Sequence, residues 1–169
     1  MGYVVVVMGV SGSGKTTVGK SLAAELGAAF VDADDYHSPQ SIEKMASGIA
    51  LDDNDRLPWL ALLRGVIDDH LATGTSLVLA CSAMKQVYRD QLAAQDPQVH
   101  FVFLKGDYDT IARRLEEREG HYMKADMLQS QFDALEEPAD AVMVDADAGP
   151  SEIVARALEG LVARRFRTS

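Results

Sequence analysis

The sequence predicts an α/β fold, a three-layer α/β/α sandwich around a five-stranded parallel sheet. Short apolar runs alternate with longer segments of helical spacing, and a glycine-rich loop directly follows the first run. The runs are continuously apolar, which is typical of strands covered on both faces of a parallel sheet. Strand–helix–strand repetition then places helices on both faces through right-handed crossovers. The five runs are Tyr3–Met8, Ala28–Asp32, Ser76–Cys81, Val99–Leu104 and Ala141–Asp145.

Three segments carry apolar residues at helical spacing. The first begins at the glycine-rich loop and ends at Gly27, the second covers about 55–73, and the third about 151–166. The polar stretches 34–55 and 116–126 are long and irregular, and in a compact domain such stretches are often binding elements or lids. We therefore expect one domain over 1–169, with a substrate-binding insertion at about 35–56 and a lid at about 118–127.

Composition argues against several classes of protein. The net charge of −10 disfavours a nucleic-acid or anionic-membrane surface, because both partners require a basic face. No apolar run reaches the roughly 20 residues of a membrane span, and the N-terminus lacks the basic start of a signal peptide. The single cysteine, Cys81, fits a reducing compartment and a place in the core. We expect a cytoplasmic protein that acts on a small molecule.

Residues 9–16, GVSGSGKT, match the phosphate-binding pattern G-x-x-x-x-G-K-[ST] in full, with a strand before them and a helix after. Such a P-loop indicates an NTPase fold, because glycines let backbone N–H groups wrap around phosphates at a helix N-terminus. Lys15 is expected to reach the outer phosphates of ATP, and the Thr16 hydroxyl to bind Mg²⁺. A tight turn that needs glycine only for packing is the alternative. The predicted nucleotide-binding residues are Gly9, Ser11, Gly12, Ser13, Gly14, Lys15, Thr16 and Thr17.

Acidic residues follow the second strand in FVDADDYH, residues 30–37. The carboxyl ends of parallel strands form the ligand crevice of such sheets. Asp32 is therefore expected to assist Thr16 at the metal, and Asp34 to orient or deprotonate an acceptor hydroxyl as it attacks the γ-phosphate. His37 follows these carboxylates closely in the sequence and is expected to hydrogen-bond a substrate hydroxyl. A solvated acidic turn is the alternative.

Six motifs in this order resemble the gluconokinase family: GVSGSGKTTVGK, DADDYH, IEKMASGIALDDNDRLPWL, LACSAMKQVYRDQL, VFLKGDYDTIARRLEEREGHYM and SQFDALEEP. The resemblance extends from about residue 4 to 147. It implies ATP-dependent phosphorylation of D-gluconate to 6-phospho-D-gluconate, with Mg²⁺, by a homodimer. The stretch 38–42, SPQSI, departs from the His-Pro-x-x-Asn-Ile more usual in the family, and could alter a substrate-side contact.

A sugar acid needs cations for its carboxylate, and four basic residues are candidates in this acidic chain. Lys44 and Arg56 flank MASGIALDDND, and Lys85 and Arg89 lie four residues apart after the third strand, where one helix face would present both. Arginine suits a carboxylate best, because its planar fork binds both oxygens. The alternatives are a solvated helix face for Lys85 and Arg89, a helix-start salt bridge for Arg56, and a surface helix position for Lys44.

Two arginines precede the predicted lid in RRLEEREGHYM, residues 113–123. Similarity to nucleoside-monophosphate and shikimate-type kinases implies that Arg114 stacks on adenine and that Arg118 stabilises the transferring phosphoryl group. Ion pairs on the helix surface are the alternative. This similarity also implies an adenylate- and shikimate-kinase-like fold with strand order 2-3-1-4-5. The predicted catalytic residues are Lys15, Asp34 and Arg118.

Two rival functions share the phosphate loop. One is the same phosphoryl transfer to another small acceptor, such as shikimate or a nucleoside monophosphate. The other is a nucleotide-binding sensor without catalysis, which would have no need for the acceptor-side residues.

Overall fold

The computed structural model describes residues 2–117 and 125–167, and of residues 125, 126 and 165–167 only the backbone. Its centre is a five-stranded sheet of order β2-β3-β1-β4-β5, in which every neighbouring pair is parallel. This confirms the predicted fold class and strand order. The strands are β1 (Val4–Met8), β2 (Ala29–Asp32), β3 (Leu77–Ala80), β4 (Val99–Lys105) and β5 (Val142–Asp145).

Helices connect the strands, and the connections from β1 to β2 and from β3 to β4 each pass a strand that lies between the two in the sheet. The polar stretch 34–55 is more regular than expected, because it contains most of a 3-10 turn (Ala33–Tyr36) and a short helix. The helices are α1 (Lys15–Leu26), α2 (Pro39–Ala46), α3 (Asp53–Ala72), α4 (Gln86–Ala93), α5 (Tyr108–Glu117), α6 (Ala125–Ala134) and α7 (Pro150–Arg167).

Alternate residues of the central strand β1 face opposite layers of the core. Val4, Val6 and Met8 pack with residues of α3 and α4, whereas Val5 and Val7 pack with residues of α1 and α7. All five are fully buried, which explains why the strand is apolar without interruption. Cys81 lies in the first of these layers, and burial raises the pKa of its thiol to about 12, as a core residue requires.

A third apolar cluster lies beyond the carboxyl ends of the strands. It joins Val10 of the phosphate loop to Ile111 and Leu115 of α5 and to Leu128 of α6. The cluster therefore fixes α5 and α6 against the loop on the side where parallel strands place their ligands.

The departure from the family pattern at residues 38–42 has a local explanation. Ser38 is the N-cap of α2: its hydroxyl accepts a hydrogen bond from the Ser41 backbone N–H at 3.1 Å, and Pro39 occupies the first helical position. Serine at an N-cap and proline directly after it both favour helix initiation. Ser38 and Ser41 thus begin a helix.

The predicted insertion 35–56 comprises the end of the 3-10 turn, α2 and the first turn of α3. Most of the predicted lid, residues 118–124, lies outside the described residues, and the rest of it belongs to the start of α6. Among the helices of residues 2–117 and 125–167, none is both long and apolar enough to cross a membrane.

Candidate active site

The phosphate loop between β1 and α1 adopts the backbone that its glycines predict. Gly9, Gly12 and Gly14 have φ values of 152°, 81° and 98°, a region that residues with a side chain rarely adopt. Gly12 also has no room for one, because an added Cβ would lie 2.9 Å from Cγ of Leu115. The loop is therefore shaped by both dihedral angle and close packing.

Lys15 is the first residue of α1. Its Nζ donates a hydrogen bond to the Val10 carbonyl oxygen of the phosphate loop at 3.0 Å. The Ser13 side chain is fully buried, and within the described chain its hydroxyl has no hydrogen-bond partner. Thr17 is exposed on the first turn of α1. A glycine-rich loop, a lysine and a helix N-terminus form the type of site that binds phosphate.

Thr16 on the first turn of α1 and Asp32 at the end of β2 meet at the edge of this loop. The Thr16 hydroxyl donates to Oδ2 of Asp32 at 3.0 Å, and Oδ1 of Asp32 accepts from the Asp34 backbone N–H at 3.0 Å. No group of three or more His, Cys, Asp or Glu side chains that could hold a metal occurs in residues 2–117 and 125–167. Two hard oxygen ligands nevertheless fit Mg²⁺, which binds through one or two protein ligands together with phosphates and water.

Asp34 follows at the 3-10 turn, with its side chain 80% exposed in front of the phosphate loop. Nε2 of His37 lies 3.5 Å from its Oδ1. This contact is the largest cause that holds the pKa of Asp34 below its ordinary value; partial desolvation by the surrounding residues acts against it, and the charges of Lys15 and Arg56 add to it. Asp34 is therefore an ionised carboxylate at neutral pH, able to accept a hydrogen bond from a hydroxyl group.

A buried stack positions His37. Its imidazole lies parallel to the Trp59 indole at 4.3 Å between centroids, and the Trp59 Nε1–H donates to the Ala33 carbonyl oxygen at 2.7 Å. His37 is only 5% exposed, and its Nδ1 has no hydrogen-bond partner in the described part of the chain. The imidazole is thus fixed by packing, with one nitrogen directed at Asp34.

Five of the predicted phosphate and acceptor residues line one cavity of about 380 Å³: Ser11, Lys15, Asp34, His37 and Arg56. Lys15 belongs to the phosphate loop and α1, Asp34 to the 3-10 turn, and Arg56 to α3. A cavity of this size suits a small molecule. Its lining also includes Ser82, Met127 and Gln131.

The other three predicted acceptor-binding cations are placed differently, since none of them is among the residues that line this cavity. The Nζ of Lys44 donates to both carboxylate oxygens of Asp55, Oδ1 at 3.0 Å and Oδ2 at 2.9 Å. Lys85 donates to Asp53 at 3.3 Å, and Asp53 also accepts from the Tyr88 hydroxyl. Both lysines are therefore ion-paired with the start of α3.

Arg89 is 2% exposed, and its guanidinium bridges two backbone segments. Nη1 donates to the Ala83 carbonyl oxygen and Nη2 to that of Glu136, each at 2.6 Å. Lys85 and Arg89 do not share a helix face as expected, because α4 begins at Gln86 and leaves Lys85 at the N-cap with extended backbone. Arg89 thus joins the β3–α4 loop to the segment after α6.

Arg114 and Arg118 are the two arginines predicted to contact the nucleotide. The Nη2 of Arg114 donates to the Ala146 carbonyl oxygen in the loop between β5 and α7. Arg118 lies outside the described residues, so its predicted role stays a prediction.

Gln131 is a cavity residue that the sequence reasoning missed. The Ser11 backbone N–H donates to its Oε1 at 2.7 Å, and its Nε2 donates to the Ser11 hydroxyl at 3.1 Å. The only sequence signal is the position of Gln131 within SQFDALEEP, since the contact spans 120 residues and follows no local pattern.

The chain is similar in sequence to known proteins over most of its length. The family model described as Shikimate kinase matches residues 11–162. The chain is 44% identical to the "Probable gluconokinase" of Mus musculus, covering 94% of this chain and 97% of that one. It is also 44% identical to the "Thermoresistant gluconokinase" of Escherichia coli (strain K12), covering 93% and 92%.

Solved structures agree with these relatives. A gluconokinase from Sinorhizobium meliloti 1021 superposes with a TM-score of 0.85 at 43% identity, over 96% of this chain and 92% of that one. Shikimate kinase from Aquifex aeolicus vf5 superposes with a TM-score of 0.70 at 17% identity, over 96% and 98%. The latter likeness concerns the fold alone.

Proposed function

Because this chain belongs to the gluconokinase family, we propose that it is a kinase that transfers the γ-phosphoryl group of ATP to D-gluconate and releases 6-phospho-D-gluconate. The observation that carries this proposal is the single cavity shared by Lys15, Asp34 and Arg56. It brings a lysine that can bind phosphate, a carboxylate that can accept a hydroxyl proton and a cation for the acceptor into one cavity.

On the donor side, the loop amides and the Lys15 ammonium bind the phosphates of ATP. Thr16 and Asp32 would hold Mg²⁺, which neutralises charge on the phosphate oxygens when it is bound. Arg118 is proposed to stabilise the transferring group, and Arg114 to stack on adenine. The hydrogen bond from Arg114 to Ala146 supports this placement, because it fixes the guanidinium at the loop after β5.

On the acceptor side, Asp34 orients the attacking hydroxyl and accepts its proton as transfer proceeds. A carboxylate with a lowered pKa is a weak base, so most of its effect comes from alignment. His37 fixes the Asp34 carboxylate from one side. Arg56, which lines the cavity, supplies the positive charge that a sugar acid needs.

Shikimate is the strongest alternative acceptor, because the shikimate kinase model matches most of the chain. Gluconate is favoured since the identity to gluconokinases is 44%, against 17% to the shikimate kinase structure. A coupled assay with ATP across gluconate, other aldonates, shikimate and AMP tests this choice. We expect turnover with gluconate; turnover of shikimate or AMP without gluconate would overturn it.

The sensor alternative is tested by Asp34→Asn, which keeps the size of the side chain and removes its charge. We expect kcat to fall by about 10²–10⁴-fold, the usual contribution of a positioned general base. ATP binding should stay within about threefold, because the phosphate loop is unchanged. A wild-type protein that binds ATP but turns over none of the acceptors would support the sensor.

Three further properties rest on the resemblance: dependence on Mg²⁺, a homodimer and a cytoplasmic location. The oxygen pair of Thr16 and Asp32 supports the first. A single buried cysteine is compatible with the last. Light scattering of the purified protein gives the oligomeric state, and an EDTA titration of the activity tests the metal requirement.

A further inference from the structure

The Gln131 side chain on α6 accepts a hydrogen bond from a backbone N–H group of the phosphate loop. Its Oε1 accepts from the Ser11 backbone N–H at 2.7 Å, a short and direct hydrogen bond. The carboxamide thus accepts from a loop whose N–H groups serve to bind phosphate oxygens. Its Nε2 donates to the Ser11 hydroxyl at 3.1 Å, so both ends of the amide contact the same residue.

The backbone of α6 is held on both sides of this contact. Leu128 packs against Val10 in the apolar cluster beyond the sheet, and the Phe132 ring contacts that of Tyr108 at 5.7 Å between centroids. Beyond the end of the helix, the Glu136 backbone N–H donates to the Met84 carbonyl oxygen at 2.8 Å. A change of partner at Gln131 is therefore a rotation of its side chain on a fixed helix.

Gln131 and Ser11 line the cavity together with Lys15, Asp34 and Arg56. A phosphate oxygen forms a charge-assisted hydrogen bond with an N–H group, which is stronger than the bond from an N–H to a neutral amide. A phosphate oxygen of bound nucleotide would therefore compete with Oε1 of Gln131 for the Ser11 amide. The released carboxamide then offers two donors and an acceptor inside the space where the second substrate binds.

We propose that Gln131 is a positioning residue that makes acceptor binding depend on bound nucleotide. In the free enzyme it holds the Ser11 amide; when phosphate takes that amide, the carboxamide turns to a hydroxyl or carboxylate of the acceptor. This inference rests on the proposed kinase function. It requires that nucleotide and acceptor each tighten the binding of the other by the same factor, because coupling between sites is reciprocal.

Isothermal titration calorimetry measures this coupling. Gluconate is titrated into the enzyme with and without a non-hydrolysable ATP analogue and Mg²⁺. In the wild type we expect the analogue to tighten gluconate binding by about tenfold, within the usual range of coupling. In Gln131→Met, which keeps the length of the side chain and removes its hydrogen-bonding groups, the factor should fall to within about twofold of one.

Two further variants separate this role from general damage to the helix. Gln129→Met makes the same change on an exposed position of α6, where the glutamine bonds Asp133 at 2.8 Å, and it should keep the wild-type coupling. Gln131→Glu still accepts from the Ser11 amide, so its thermal stability should match the wild type. Its charge opposes phosphate and its second oxygen cannot donate, so the coupling should be lost.

Two results would overturn the inference: no coupling in the wild type, or an unchanged coupling factor in Gln131→Met. If the coupling factor is unchanged but Gln131→Met binds the analogue more weakly, Gln131 only supports the loop. A wild type that does not bind gluconate contradicts the proposed acceptor instead. The same titrations with the acceptor that is turned over then decide the role of Gln131.

Discussion

The imidazole of His37 stacks on the indole of Trp59 at 4.3 Å between ring centroids, with 17° between the ring planes. His37 lines the cavity, and its Nε2 lies 3.5 Å from Oδ1 of Asp34. Trp59 is the single tryptophan of the chain, so its fluorescence reports on this part of the site. The core of the protein thus determines the electrostatics of the residue that faces the acceptor.

His37→Asn should raise the pKa of Asp34, because contact with His37 is the largest cause that lowers it. The Asp34 carboxylate is ionised at pH values above its pKa. As the pH falls through that pKa, the carboxylate is protonated, and both the activity and its contribution to stability are lost. Without His37, this loss begins at a higher pH. The ¹³C shift of the Asp34 carboxyl carbon between about pH 2.5 and 6 measures the change.

His70→Asn is the matched control for this experiment, since His70 bonds Thr75 at the end of α3, away from the cavity. It should leave the titration of Asp34 unchanged. A His37→Asn variant whose Asp34 still titrates at the wild-type pH would contradict the assignment of His37 as the dominant partner.

The fold and the conformation of the phosphate loop could be predicted from the sequence, because each leaves a local pattern. Buried parallel strands are continuously apolar, and a phosphate loop needs its glycines and lysine at fixed spacing. Thr16 and Asp32, both predicted at a metal site, do lie in contact, because the loop after β1 and the end of β2 meet at one edge of the sheet; their role at a metal stays a prediction.

The acceptor side was harder to predict, because it depends on where helices begin and on contacts between distant segments. The expectation that Lys85 and Arg89 share a helix face assumed a helix that includes Lys85, whereas α4 begins one residue later. Likewise α3 begins at Asp53, two residues before the predicted start, because Asp52 and Asp55 form a capping box. The contact of Gln131 with Ser11 has no local signal at all.

Arg56→Gln should raise the KM for the acceptor by about tenfold to hundredfold, the usual effect of losing a hydrogen bond to a charged group. The KM for ATP should change little, because Arg56 lies on α3 and outside the phosphate loop. Lys44→Gln removes the same charge from a residue paired with Asp55, and should change the acceptor KM by less than about threefold. Steady-state kinetics of the two variants decide between them: equal increases would restore Lys44 as an acceptor ligand.

Gly12→Ala should weaken ATP binding by at least about tenfold, because a Cβ at φ 81° is strained and would lie 2.9 Å from Leu115. Gly74 has a similar φ of 72° but open space around it. Gly74→Ala should therefore cost about 1 kcal/mol of stability and leave the KM for ATP within about twofold. Urea unfolding and nucleotide titration of both variants separate backbone strain from damage to the loop. An ATP affinity in Gly12→Ala equal to that of Gly74→Ala would show that the close packing is unimportant.

Arg89→Met should act on stability more than on acceptor binding. The guanidinium donates to the carbonyl oxygens of Ala83 and Glu136 in a buried position, and its loss leaves both acceptors without a partner. We expect a loss of about 2–4 kcal/mol in urea unfolding. The acceptor KM, measured at a temperature where the variant stays folded, should rise less than in Arg56→Gln. A variant of wild-type stability with a hundredfold higher acceptor KM would instead make Arg89 a direct acceptor ligand, as the sequence spacing alone had indicated.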